Sequence, residues 1–195
     1  MKVILVALFV LALAGCASVV KIEGEQIVNN RMKITVTEAW NKVSIPGASQ
    51  PFESWTQEGL SLDHLRFWAA VRPEQKLIEL PSGSTPAGEK ARRVPTYRAG
   101  MPADEIVHLF EVVYSMDGSV VTMDKVSPTR FAGENGVRFE FSVLRKRDGL
   151  HLKGVGWAAV RNNELFAASF VAPRLAFYPR LLPMAESIVG SARIL

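Results

Sequence analysis

The chain carries three histidines, and any acid–base or metal chemistry depends on what stands beside them. Asp104, His108 and Glu111 are spaced to share one face of a helix, where three such side chains could hold a metal ion. That face is also the polar outer surface every amphipathic helix has, and neither a second set of ligands nor an H-E-x-x-H motif accompanies it. No metal and no cofactor is therefore expected. Asp63-His64 places an acid next to a base, but adjacent strand residues point to opposite faces, and no G-x-S-x-G turn supplies a nucleophile. His151 follows a turn and reads as a solvated strand end. No catalytic residue is assigned; a hydrolase using His64 or His151 is kept as an alternative. Gly154-Val155-Gly156 lacks the helix a nucleotide fingerprint needs, and reads as a bulge or close packing within a strand.

His64, Arg66 and Trp68 alternate along a predicted strand and share a face, with Trp55 nearby in sequence. An arginine lying against an aromatic plane suits an anionic or amphipathic ligand. These three are the candidate ligand-binding residues. The competing reading buries Trp68 under a helix and lets Arg66 snorkel to solvent.

Composition narrows the classes. The 195 residues are 48% hydrophobic and 22% charged, ordinary values for one globular domain with a sizeable core. The net charge of +4 is spread along the chain. Arg92-Arg93 and Arg145-Lys146-Arg147 read as solvated loops, and no dense basic run with interleaved aromatics points to nucleic acid. The single cysteine, Cys16, can form neither an internal disulfide nor a zinc site.

The position of Cys16 explains it. Lys2 precedes an unbroken apolar run over residues 3–13, too short to span a bilayer as a mature helix. Leu13-Ala14-Gly15-Cys16 then resembles the bacterial lipobox. The resemblance implies a signal peptide over residues 1–15, cleavage before Cys16, and acyl chains on Cys16 that hold the chain to a membrane. Each buried methylene contributes about 0.8 kcal/mol, so several chains anchor stably where one is marginal. Ala17, rather than aspartate, follows the cysteine, which implies transfer to the outer membrane, facing the periplasm. The competing reading is an ordinary signal peptide with Cys16 incidental.

The elements that must position these residues follow from periodicity. Residues 16–31 read as an acylated N-terminus and tether, and residues 32–195 as a single domain. Met32, Ile34 and Val36 alternate with Lys33, Thr35 and Thr37 as a first strand, and Trp40 and Val43 follow before Pro46-Gly47, which marks a turn. Residues 50–58 read as loop and residues 60–71 as a strand, with Leu65, Phe67, Ala69 and Val71 on one face and His64, Arg66, Trp68 and Ala70 on the other. Residues 80–100 form a long Pro-, Gly- and Ser-rich segment. Residues 102–116 predict a helix with Pro102, Asp104 and Glu105 in its first turn and a stripe of Ile106, Leu109, Phe110, Val113 and Tyr114. Strands are predicted over residues 120–126, 136–146, 151–160 and 165–172, joined by turns at Asp148-Gly149 and Asn162-Asn163 and hence antiparallel. Residues 174–190 predict a final helix, with Pro179 and Pro183 near its start and Leu181, Leu182, Ala185, Ile188 and Val189 inward. The sum is an α+β fold, a curved antiparallel sheet with flanking helices.

Trp40 after the first strand, the helix opening Pro102-Ala103-Asp104-Glu105, and the closing residues Leu165-Phe166, Ala172-Pro173, Tyr178, Ile188 and Ser191 resemble the PsbP/Mog1-like fold. That fold includes photosystem accessory proteins, a Ran-binding factor and bacterial lipoproteins. Its members bind or assemble, usually without catalysis. The resemblance implies a non-enzymatic accessory, assembly or binding factor of the cell envelope with an envelope protein as partner. A carrier or sensor of lipids or other apolar ligands is the second alternative.

Overall fold

The computed structural model describes residues 18–45, 49–80 and 94–195. The expected signal peptide over residues 1–15, Cys16, Ala17, Pro46-Gly47, Arg92-Arg93 and most of the 80–100 segment lie outside the described residues. The elements in chain order are β1 (Ser18–Val28), β2 (Met32–Ser44), β3 (Glu53–Thr56), β4 (His64–Val71), α1 (Ala103–Ser115), β5 (Val120–Phe131), β6 (Glu134–Leu144), β7 (His151–Arg161), β8 (Glu164–Pro173), α2 (Phe177–Gly190) and β9 (Arg193–Ile194). The strands form one antiparallel sheet in the order β1-β2-β3-β4-β8-β7-β6-β5, with β9 added to β2. This is the curved antiparallel α+β architecture expected from the sequence.

Turn chemistry sets the hairpins. Asn29 and Asn30 have φ of 48° and 53°, and Asn162 and Asn163 have 52° and 61°. Asparagine tolerates this left-handed region, and two such residues in succession give the turn twist that antiparallel strands require. At Ala132-Gly133 the same geometry joins β5 to β6.

Three expectations need correction. The segment read as a loose tether is β1, paired with β2 from Ser18↔Ser44 to Val28↔Met32. Asn29-Asn30 is a hairpin turn, and Ile22 and Val28 bury their side chains in the domain. Within residues 50–58, read as loop, β3 inserts Trp55 fully into the core. The following strand starts at His64 because Leu62 and Asp63 donate their N–H groups back to the Gly59 carbonyl, closing a turn. The strand faces predicted for β4 also change near its end. Ala70 has φ 61°, and the register skips one residue between Trp68 and Val71. This bulge moves Val71 onto the face of Trp68 and sends Ala70 to the other side.

Both faces of the sheet centre are buried. On one face α2 lays Tyr178, Leu181, Ala185, Ile188 and Val189 over Trp40, Trp55, Phe67 and Phe170. Trp40 meets Phe170 edge-on and Phe170 stacks on Tyr178. On the other face α1 lays Ile106, Val107, Leu109, Phe110 and Val113 over Trp68, Phe139, Phe141 and Leu165. Each large apolar side chain buried this way contributes roughly 1.5–3 kcal/mol. α2 begins at Phe177, so Pro179 lies in its first turn while Pro183 sits inside the helix, leaving the Pro179 carbonyl without its usual donor.

Gly154 and Gly156 of β7 pair with Phe141 and Phe139 of β6. A Cβ on Gly154 would stand 2.3 Å from the Phe141 ring, and one on Gly156 would stand 2.2 Å from the Phe139 ring. The two phenyl rings lie across bare backbone and are capped by Phe110 and Tyr114 of α1. This is the close packing the two glycines predicted. Gly156→Ala is expected to destabilise the domain by about 1–3 kcal/mol through overpacking. Gly190→Ala, where nothing lies within 4 Å of the new carbon, is expected to leave stability unchanged or slightly raised. Urea unfolding of the two variants checks the contrast.

Candidate functional site

The α1 face is apolar over most of its area and polar at one end. His64 and Arg66 project from β4, Ser169 from β8 and Tyr114 from the last turn of α1, and the helix–sheet packing brings the four together. β4 and β8 pair here through His64↔Val171 and Arg66↔Ser169. The Tyr114 and Ser169 hydroxyls are 2.6 Å apart. The His64 ring stacks on Tyr114 at 5.8 Å between centroids and 17° between planes. The Arg66 guanidinium lies 4.6 Å from the centre of the Phe52 ring and 5.8 Å from that of Tyr114. A cation held between two aromatic faces gains about 0.5–2 kcal/mol, more as water is excluded.

The charges in the cluster are unbalanced. Among the described residues no carboxylate comes within ion-pair reach of Arg66. Its buried Nε and the buried Nε2 of His64 both lack a hydrogen-bond partner. Burial, followed by the charges of Arg66 and Arg145, holds His64 well below the usual imidazole range, so the ring is neutral. Arg145 is fixed beside it by Asp148, with bonds of 2.9 and 2.7 Å, and by the Ser61 carbonyl. Burial raises the Tyr114 phenol and outweighs the opposing influence of Arg66 and the Ser169 hydroxyl. The result is a half-buried guanidinium, hydrogen-bonded to Tyr114 but with its Nε unpartnered and no counter-charge, beside a neutral imidazole, an arrangement suited to an anionic oxygen group.

Of the three predicted binding residues, two meet in this cluster. Trp68 does not. It is fully buried, packs edge-on against Phe110 and donates its indole N–H to the Leu77 carbonyl at 2.8 Å. It is a core residue because α1 and residues 75–77 cover it, which strand periodicity alone does not reveal. Sequence reasoning missed Tyr114, Ser169 and Phe52. Tyr114 carried a signal as the one polar-tipped residue in the apolar stripe of its helix; Phe52 and Ser169 carried none.

The other candidates disperse. Asp63 is buried and turned away from His64: its carboxylate accepts hydrogen bonds from the Thr56 hydroxyl at 2.9 Å and from the Gln57 and Glu58 backbone at 2.9 and 2.7 Å. It builds the β3–β4 turn. His151 is exposed at the start of β7. His108 lies 2.9 Å from Glu111 on the exposed side of α1. Among the described residues no three His, Cys, Asp or Glu side chains are grouped to hold a metal. Clefts are present among the described residues. One of about 460 Å³ is rimmed by Arg130, Trp157, Glu186 and Arg193, and one of about 360 Å³ by Asn29, Glu74, Lys76 and Glu79.

No family model and no curated protein matches the sequence. Solved structures do match. The chain is similar to the solution structure of cyanobacterial PsbP (CyanoP) from Synechocystis sp. PCC 6803, with 12% identity, a TM-score of 0.57, and coverage of 93% of this chain and 95% of that one. It is similar to a crystal structure from Bacteroides thetaiotaomicron VPI-5482, with 11% identity, a TM-score of 0.50, and coverage of 89% and 49%. A third is LpqN, involved in cell envelope biogenesis of Mycobacterium tuberculosis, with 8% identity, a TM-score of 0.36, and coverage of 93% and 85%. At these identities the first two show a shared fold and no activity. The chain has the PsbP-like α+β fold.

A neutral buried imidazole makes stability depend on pH in a defined window. The unfolded chain binds a proton at His64 near pH 6.5. The folded chain does so only at lower pH, because its value is lowered. Stability is therefore unaffected above about pH 6.5 and falls as pH drops below it, by at most about 1.4 kcal/mol per unit. Thermal unfolding between about pH 5 and 7 is expected to show this slope in the wild type and to lose it in His64→Gln.

Proposed function

We propose that this chain is a lipoprotein of the bacterial cell envelope, held by acyl chains on Cys16 and facing the periplasm, that serves as a non-enzymatic accessory, assembly or binding factor. The α1 face is its binding surface, and the cluster of His64, Arg66 and Tyr114 seats an acidic group of an envelope protein partner. The observation that carries this reading is the uncompensated Arg66 guanidinium between Phe52 and Tyr114. A folded domain does not gain stability by desolvating a cation without a counter-charge, so the group is understandable as the receiving half of an ion pair completed on binding. The lipobox residues Leu13-Ala14-Gly15-Cys16 support the anchor, and Ala17 after the cysteine favours the outer membrane. The shared PsbP-like fold supports a binding domain by analogy alone.

Neither alternative gains a comparable observation. The clefts lined by Arg130, Glu186 and Arg193 and by Glu74, Lys76 and Glu79 mix charged with apolar side chains, whereas a lipid carrier is built around a mostly apolar pocket. A hydrolase through His64 has no orienting carboxylate, since Asp63 is committed to the β3–β4 turn.

Proximity cross-linking in the native cell, with mass spectrometry of what is captured, tests the proposal. A protein partner is expected, lost in Cys16→Ser. Binding of the purified partner is expected to weaken about tenfold or more in Arg66→Gln, since a hydrogen-bonded charge contributes about 1.5–3 kcal/mol. Unchanged affinity in that variant would remove the assigned seat. Turnover by the purified protein, abolished by one point substitution, would overturn the non-enzymatic reading.

A further inference from the structure

β1 begins with four consecutive exposed residues, Ser18 to Lys21. Val19 is 60% exposed and Val20 is 57% exposed. Consecutive strand residues point to opposite faces, so neither side of the ribbon is covered here. Across the hairpin, Val19 pairs with half-buried Val43 and Val20 with Lys42. Ile45, just beyond the end of β2, is 54% exposed. Lys21 is exposed and has no carboxylate within ion-pair reach among the described residues. The hairpin therefore ends in an apolar tip of Val19, Val20 and Ile45 with a free cation at its base.

Scattered exposed valines need no explanation; the neighbourhood of these does. Only Ala17 separates Cys16 from Ser18, and Ser18 is already paired with Ser44. Two peptide steps span at most about 7 Å. Acyl chains on Cys16 would leave the protein at the headgroup boundary, and apolar side chains that enter this layer reach about 5–10 Å into it. The two lengths agree, so the tip cannot stand clear of a membrane that holds Cys16. A lysine beside the tip adds attraction to anionic headgroups, on the order of 1 kcal/mol.

We infer that the free end of the β1–β2 hairpin, with Val19, Val20 and Ile45, is a membrane-docking tip that inserts into the lipid interface and holds the domain end-on against the bilayer. This rests on the acylation of Cys16 proposed above. The occupant is the lipid surface. A flexible tether that would free the domain to swing is replaced by a strand in register from Ser18 onward, which keeps the tip within reach of that surface.

The test uses the natively processed protein reconstituted in vesicles of phosphatidylethanolamine and phosphatidylglycerol. Acylation consumes the thiol of Cys16, the chain's one cysteine, so an introduced cysteine is the single site for an environment-sensitive fluorophore. Val20→Cys probes the tip. Ile27→Cys probes an exposed apolar position near the other end of the same strand. The expected result is a blue shift and quenching by spin-labelled lipids at position 20, with emission from water at position 27. Water-like emission at both positions overturns the inference, as does equal quenching at both, which would mean a strand lying flat. The intact mass separates the two readings. Acylated protein with a wet tip sinks only the docking, whereas protein without acyl mass sinks the anchor and the docking with it.

Discussion

The centre of the sheet has no wet face. β8 is buried on both sides from Leu165 to Pro173, which is unusual for an antiparallel strand, since such sheets commonly leave one face to solvent. The rest of the architecture answers that constraint. Two apolar faces need two covers, so α1 and α2 pack on opposite sides. Alanines at 167, 168 and 172 keep the middle strand thin while Phe166 and Phe170 fill the α2 side. The glycines of neighbouring β7 allow Phe139 and Phe141 to lie flat beneath α1. Volume removed from one strand is returned by aromatic rings on the next, which is how a close-packed interior is reached without voids.

Such a core is intolerant of polar atoms, and this gives meaning to the one place where α1 covers them. Ser169 is buried and satisfied by Tyr114. His64 is tolerated because it is neutral. Arg66 cannot become neutral, and its flanking rings supply only part of what water supplied. The buried carboxylate of Asp63, by contrast, is fully engaged by hydrogen bonds, whereas among the described residues Arg66 has no counter-charge.

The β1–β2 hairpin is tied to this body at several points. Arg31 pairs with Glu164, Asn29 donates to the Ala69 carbonyl at 2.9 Å, and the Ser191 hydroxyl accepts from the Thr35 N–H at 2.8 Å. β9 adds a short pairing to β2. The connection from β1 to the sheet carrying Arg66 is thus made of hydrogen-bonded elements, so the proposed anchor at Cys16 would fix how the Arg66 end is presented.

Much of this was readable from residue order. The alternation of Met32, Ile34 and Val36, the stripes of both helices and the asparagine and glycine turns specify an antiparallel sheet with two helices, because those signals are local and each backbone conformation has its own residue preferences. The glycine pair in β7 announced close packing, and His64 and Arg66 were legible as one face of a strand. Other features exist only after long-range packing. β1 was hidden because an edge strand with one buried side carries a weak pattern, and β3 because four residues are too few to show a period. The bulge at Ala70 reversed the faces of β4 without altering its composition. Whether Trp68 was ligand or core depended on the helix laid over it, and the partners of Arg66 come from Phe52, Tyr114 and Ser169, which are separated along the chain and meet only when α1 closes on β4 and β8. Sequence fixes which residues prefer which backbone; which side chains are left without a counter-charge is a property of the assembled interior.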